Sequence, residues 1–330
     1  MIERLKIDGE FYTLKQAVDN QLIEPLVLIS ENCEFTVECN PDDISEEFLI
    51  ILNEIGVNRI SCGLQSMNDC VLKSVNRRAG EEENQSALEI IDKNWTGIKS
   101  FDLISSLPGE SEESFENNLK KIIEYNPHHI SLYSLTIEEE TPLGQDLEAG
   151  KFKYDFDAAD KMWIKGRDYL ISKGYCQYEV SNFAVPGYEC RHNMAYWQHK
   201  NYIGIGCGAT GTIYEDNIAV RSTNINNIEN YINFWVYNKK DLVIKDIENI
   251  DSNTNEFEFF MMGLRTAKGI SKKNYESIFN KPISENILNL FQKWKNQNLA
   301  CIKDEDSDTY FSLSKDGLLF LNLFLEQLQL

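Results

Sequence analysis

Two periodicities divide the chain. In short runs every second residue is apolar; in longer runs apolar residues return every three or four positions. The short runs Glu34 to Glu38, Val57 to Gln65, Lys99 to Ser105 and His129 to Thr136 read as strands. Between the first two, PDDISEEFLIILNEIG predicts a crossover helix, with Asp43 and Glu46 as a capping box and Gly56 as its stop. Its apolar positions are Phe48, Leu49, Ile51, Leu52 and Ile55. After the third run, SEESFENNLKKIIEYNP repeats the plan, with Phe115, Leu119, Ile122 and Ile123 on one face and Pro127 closing it. Strand and helix in alternation predict an α/β fold around a parallel sheet.

The two faces of these strands differ. In Val57 to Gln65, Ile60, Cys62 and Leu64 share one face while Arg59, Ser61, Gly63 and Gln65 share the other. Phe35 and Val37 oppose Thr36 and Glu38, and Phe101 and Leu103 oppose Asp102. A doubly wound parallel sheet is apolar on both faces. A recurring polar face therefore predicts strands curved around a lumen that holds a ligand, and β/α barrels place such sites at the C-terminal strand ends.

Beyond residue 150 the pattern changes. A helix over Phe156 to Lys173, a β-rich run over Tyr175 to Phe183 and the glycine-rich YIGIGCGATGTIY predict an accessory α+β region to about residue 250. The glycines at 204 to 211 match neither a dinucleotide fingerprint nor a phosphate loop, so close backbone packing is their expected use. Helices around Phe257 to Leu264, Lys272 to Phe279 and Ser284 to Asn296, a hairpin over 300 to 313 and a final helix predict a winged-helix-like module. The expected partition is 1–33, 34–150, 151–250 and 251–330.

Composition removes several functions. The formal net charge is -21, which opposes the phosphate contacts that dominate nucleic-acid affinity. No stretch approaches the roughly 20 apolar residues of a membrane span, and MIERLKIDGEFY has no signal-like apolar core. A cytoplasmic location is expected, with peripheral membrane contact left open. The eight cysteines, at 33, 39, 62, 70, 176, 190, 207 and 301, form no CxxC or CxxxCxxC. Each is expected to behave as a small buried apolar residue.

Five segments in order, FTVECNPDDI, NRISCGLQSMND, SFDLISSLPGES, HISLYSLTIEEETPLG and YEVSNFAVPGYECRHNMAYW, resemble the HemW family of haem chaperones and its relatives, the oxygen-independent coproporphyrinogen III oxidases. The resemblance covers about residues 34 to 330. It implies a partial radical SAM β/α barrel, with S-adenosylmethionine held by Glu38, Gln65, Arg77 and Asp102 and more weakly by Thr136. Arg78 is the alternative to Arg77. Carboxylates suit ribose hydroxyls and an ammonium group, and a guanidinium offers a planar fork of donors. HNMAYW resembles the family's HNxxYW motif and so implies haem handling by His192, Asn193, Tyr196 and Trp197. His192 is then a candidate iron ligand, with the aromatics packing on the porphyrin. The residues alone leave a buried core cluster equally open, and Cys190 is a weaker candidate second ligand.

The same resemblance implies a CxxxCxxC loop binding a [4Fe-4S] cluster and a GGGTP-like turn, and neither occurs here. The cysteines present supply no clustered thiolates for it. The expectation is a HemW-like haem-binding protein whose cluster-bearing N-terminal segment is missing and which performs no radical chemistry alone. Its expected partners are haem or a porphyrin and a haem-accepting protein. A clusterless scaffold or interaction protein, or a fragment of a coproporphyrinogen dehydrogenase, remains the alternative. Oligomeric state is not addressed by the sequence.

Overall fold

The computed structural model describes residues 5–7, 10–12, 32–237, 239 and 245–328. Residues 1–35 and 36–330 form two units. In the first, β1 (Leu5–Ile7) and β2 (Glu10–Tyr12) pair antiparallel.

The second unit is built on a six-stranded sheet of β3 (Thr36–Cys39), β4 (Arg59–Gln65), β5 (Ile98–Ser105), β6 (His129–Ser134), β7 (Cys176–Gln177) and β8 (Asn182–Ala184), in the order β3-β4-β5-β6-β8-β7. The first four strands run parallel, and β8 and β7 add antiparallel. Crossovers carry α1 (Glu46–Glu54), α2 (Asp69–Ser74), α3 (Glu81–Asn94) and α4 (Glu112–Ile123). The α/β expectation therefore holds, with β3, β4 and β6 shorter than the alternation suggested and β5 one residue longer. β3 begins at Thr36 and β6 ends at Ser134, so Thr136 lies past the strand. The predicted capping box is displaced as well. Asp43 sits in a 3-10 turn, and Ser45 caps α1 by accepting from the Phe48 backbone N–H.

The apolar face of the sheet is the main core. Ile60, Cys62, Leu64, Phe101, Leu103, Ile130 and Leu132 are essentially inaccessible and pack against Leu49, Leu88, Ile91, Phe115, Leu119 and Ile122 from the helices. α5 (Pro142–Glu148) and α6 (Phe156–Ser172) follow. α7 (Arg191–Trp197) leads to an antiparallel sheet of β9 (Thr210–Glu215), β10 (Ile218–Asn224) and β11 (Lys245–Ile250), with α8 (Ile228–Trp235) between the last two. Gly204 and Gly211 lie in mutual backbone contact, which leaves no room for side chains there. In the C-terminal region α9 (Ser252–Gly263), β12 (Ile270–Ser271), α10 (Lys272–Phe279), α11 (Glu285–Asn296), β13 (Ala300–Glu305), β14 (Asp308–Leu313) and α12 (Leu321–Glu326) enclose a second core. Its sheet order, β12-β14-β13, is winged-helix-like.

The expectation that every cysteine is buried fails. Cys62 and Cys190 are buried, but Cys33, Cys70 and Cys176 are exposed and the rest intermediate.

Candidate functional site

Register brings the polar strand positions into rows. Glu38 pairs with Ser61, Ser61 with Ser100 and Ser100 with His129; Asp102 pairs with Ser131 and Ser131 with Asn182. Paired residues in neighbouring strands project to the same side, so these form one polar face. Glu38, at the edge, is exposed; Ser61, Gln65 and Asp102 are half-buried.

Asp102 sits at the middle of this face. Ser61 Oγ lies 3.1 Å from both Asp102 Oδ1 and Ser100 Oγ. Burial pushes the Asp102 carboxyl up to about 6; hydrogen bonds from Ser131 and Ser61 oppose this, and the charge on Glu38 adds to it. Ser100 Oγ is 2.8 Å from His129 Nδ1, and His129 Nε2 is 2.8 Å from the Tyr178 hydroxyl. Burial holds His129 well below the usual histidine range, with the charge on Arg59 acting in the same direction. The ring is therefore a neutral link in the network.

The end of β4 is distorted. Its register with β5 shifts between Cys62 and Gln65, and Gln65 takes φ 65°, a conformation that non-glycine residues adopt at a cost. Arg77 donates to Gly63 O at 3.1 Å. A methyl group on Gly63 would lie 2.8 Å from Gln65 Nε2 and 3.6 Å from an Arg77 terminal nitrogen. Gln65 and Arg77 thus flank one glycine at the rim of the polar face. Arg78 turns to Asp42 and Asp43 instead, so of the two arginines it is Arg77 that contacts the end of β4. Thr136 is exposed beyond β6. A crevice of about 660 Å³ beside Arg77 is lined by Asp69, Lys73, Arg78 and Glu81 to Glu83, not by the polar face.

HNMAYW forms α7. His192 stands exposed on it, so the buried-core alternative does not describe this histidine. Its ring meets Tyr196 edge-on at 4.9 Å, and Tyr196 meets Tyr202 at 4.5 Å. Burial raises the Tyr196 phenol, as do neighbouring Tyr202 and the charge on Glu38. Asn193 and Trp197 are half-buried, and the Arg265 guanidinium lies 5.7 Å from the Trp197 ring centroid. Cys190 is buried at the start of α7 against Tyr178 and Ala184, away from an exposed His192.

Two residues inside the quoted motifs, Glu179 and Asn182, were given no role by sequence reasoning. Both are buried. Burial pushes Glu179 up to about 6, against hydrogen bonds from the Ser181 backbone and the Asn182 amide. Glu179 Oε1, Asn182 Oδ1 and Trp197 Nε1 are among the buried side-chain atoms with no hydrogen-bond partner. The alternation signal could have flagged Asn182, since it joins the Asp102 and Ser131 row.

For a [4Fe-4S] cluster the donor set does not fit. The sequence has no CxxxCxxC, and among the described residues no three His, Cys, Asp or Glu side chains are grouped to hold a metal ion. No helix among the described residues is long and apolar enough to cross a membrane.

The Radical SAM superfamily profile matches residues 7–122, which span most of the parallel part of this sheet. The fold resembles that of coproporphyrinogen III oxidase HemN from Escherichia coli, a radical SAM enzyme, with a TM-score of 0.70, 19% identity and coverage of 90% of this chain and 69% of that one. The chain is 31% identical to the heme chaperone HemW of Escherichia coli (strain K12) over 90% of its own length and 75% of that protein. It is 33% identical to the heme chaperone HemW of Lactococcus lactis over 74% of its length, a match spanning 63% of that relative. The chain belongs to the HemW family.

Proposed function

We propose that this protein binds haem and passes it to an acceptor protein, as the name of its relatives describes for them. In this reading His192 is the axial ligand to haem iron, Tyr196 and Trp197 pack on the porphyrin and Asn193 supports the helix that carries them. The observation that carries it is the exposed His192 on α7, with its ring edge-on to Tyr196 at 4.9 Å. The polar face is a pocket for S-adenosylmethionine. Glu38 and Asp102 accept from its hydroxyl and ammonium groups, Gln65 and Arg77 close the rim, and Thr136 contributes backbone beyond β6. Bound S-adenosylmethionine would supply a sulfonium-linked adenosyl group to this family's chemistry. The residues present offer no thiolate triad, so the proposal gives this chain no reductive cleavage step of its own. A cytoplasmic location and the partition at residues 33, 150 and 250 belong to the same proposal.

The test is a haem titration followed by absorbance on wild type and His192→Ala. A Soret band that shifts in wild type and not in the variant supports the assignment. Equal shifts in both would move the ligand elsewhere, and no shift in wild type would leave a scaffold or interaction protein as the better reading.

A further inference from the structure

We propose that Glu110 is a positioning residue for the ligand pocket: its carboxyl group ties the end of β4 to the end of β5 directly behind Gln65, and its charge sets how firmly the pocket is held. The inference rests on reading the polar face as a ligand pocket and deepens that reading.

Glu110 closes the SLPGE turn after β5. Its Oε2 accepts from the Ser106 backbone N–H at 3.0 Å, and the Leu107 N–H also bonds the carboxyl. Its Oε1 accepts from the Asn118 amide at 3.0 Å and from Ser66 Oγ at 3.4 Å. Ser66 follows Gln65 and is itself heavily tied. Its hydroxyl accepts from Asn118 at 3.0 Å and from the Asn68 N–H at 3.2 Å, while Asn84 donates to Leu64 O at 3.0 Å and Ser66 O at 2.7 Å. From the other side, Ser74 donates to Pro108 O at 3.0 Å and Ser106 Oγ to Ala159 O at 3.3 Å.

Two strand ends therefore meet at one carboxyl, and both contain a left-handed residue, Gln65 at φ 65° and Ser106 at φ 64°. Such conformations persist where surrounding contacts over-determine them. Glu110 supplies contacts to both ends at once.

The charge matters because the four donors are not equivalent. The Ser106 and Leu107 N–H groups cannot reverse. Only the Ser66 hydroxyl and the Asn118 amide can turn to accept, so a proton on Glu110 belongs on Oε1, and its arrival rearranges the side nearest Gln65. Charge-assisted hydrogen bonds are also about twice as strong as neutral ones. Burial nevertheless pushes this carboxyl up to about 7 despite the four hydrogen bonds that favour its charge, so the closed pocket is held more firmly with the proton on and less firmly once the charge forms. The nearest titratable groups are Tyr154 and Asp160 on the α6 side, and the crevice that shares Asn118 with Glu110 carries Asp69, Cys70, Glu81, Glu113 and Lys121. Lys121 is engaged by Glu81 at 3.4 Å.

The test compares wild type, Glu110→Gln and Ser66→Ala between pH 6 and 8.5 by amide hydrogen exchange, corrected for intrinsic rates. The peptides read are those spanning 62–70 and 103–111. In wild type both should lose about threefold or more of their protection as the pH rises through about 7, because the closed pocket binds the Glu110 proton more tightly than an opened, solvated one. Glu110→Gln should show no such loss, and Ser66→Ala should remove it from 62–70 only. Identical pH dependence in wild type and Glu110→Gln overturns the proposal, and so assigns the loss to Asp102 or Glu179 instead. S-adenosylmethionine binding by calorimetry is the second arm: the ratio of wild-type to Glu110→Gln affinity should fall as the pH rises through about 7. No binding to either protein at any pH overturns the pocket reading and the ligand half of the proposal. The exchange result then reports separately on the tie between the strand ends.

Discussion

Asp102 links the chemistry of the polar face to stability. Its carboxyl titrates at about 6 in the folded protein, against an ordinary value of 3.8. Folding thus favours the protonated form. The stabilising contribution is full below pH 4 and is lost as the pH rises through about 6. Asp102→Asn, uncharged throughout, should be more stable than wild type at pH 8 by on the order of 2 kcal/mol and equal to it near pH 4, checked by denaturant unfolding at both pH values. The same variant should bind S-adenosylmethionine more weakly at pH 8, because the carboxylate that receives its donors is gone. Gly63→Ala should weaken binding too, with little loss of stability, since the added methyl displaces the flexible end of Gln65; calorimetric titration reads the difference. Glu38, Ser61, Gln65 and Asp102 were legible as polar positions of alternating strands. Glu110 and Glu179 were not, because nothing in a single sequence marks a carboxylate as buried; that follows from the turn and the antiparallel strand that cover them.

At the level of elements, hydrophobic periodicity located the helices well and their ends less well. α4 and α6 show why the order of elements was readable. Each presents one apolar stripe, and the two stripes meet the sheet and each other through Phe115, Leu119, Met162 and Gly166. The contact at Gly166 is close. A methyl group there would lie 2.8 Å from Phe115 Cε1 and 3.0 Å from Leu132 Cδ2. Gly166→Ala should therefore destabilise by about 1–3 kcal/mol although alanine is the better helix former, a loss visible as a lowered denaturation midpoint. The cap of α1 was misread because Asp42, Asp43 and Ser45 all have capping side chains. The 3-10 turn over Pro41–Asp43 uses up the first two, and Ser45 is the residue left in extended conformation to accept from Phe48. Boundaries of this kind depend on local dihedral angles that a hydrophobic pattern does not encode.

The 36–330 unit holds two apolar cores, one under the sheet and one among the C-terminal helices, and one of the contacts between them was not legible in the sequence. Arg167, on α6 and only 2% exposed, donates to Lys315 O at 3.0 Å and pairs with Asp316 at 3.3 Å and Asp168 at 3.1 Å. Lys315 returns to Asp168 at 3.0 Å. Its position gave no sign of this, since an arginine amid polar neighbours on a helix is ordinarily solvated. Cutting this link with Arg167→Ala should split one calorimetric unfolding peak into two, because each core keeps its own buried area while the charge-assisted bonds between them are lost. The consequence concerns how ligand binding is felt. In the variant, a molecule held at the polar face would raise only the melting of the sheet. In the intact protein the single transition should rise as a whole, so Arg167 helps the C-terminal helices share in stability conferred at the polar face.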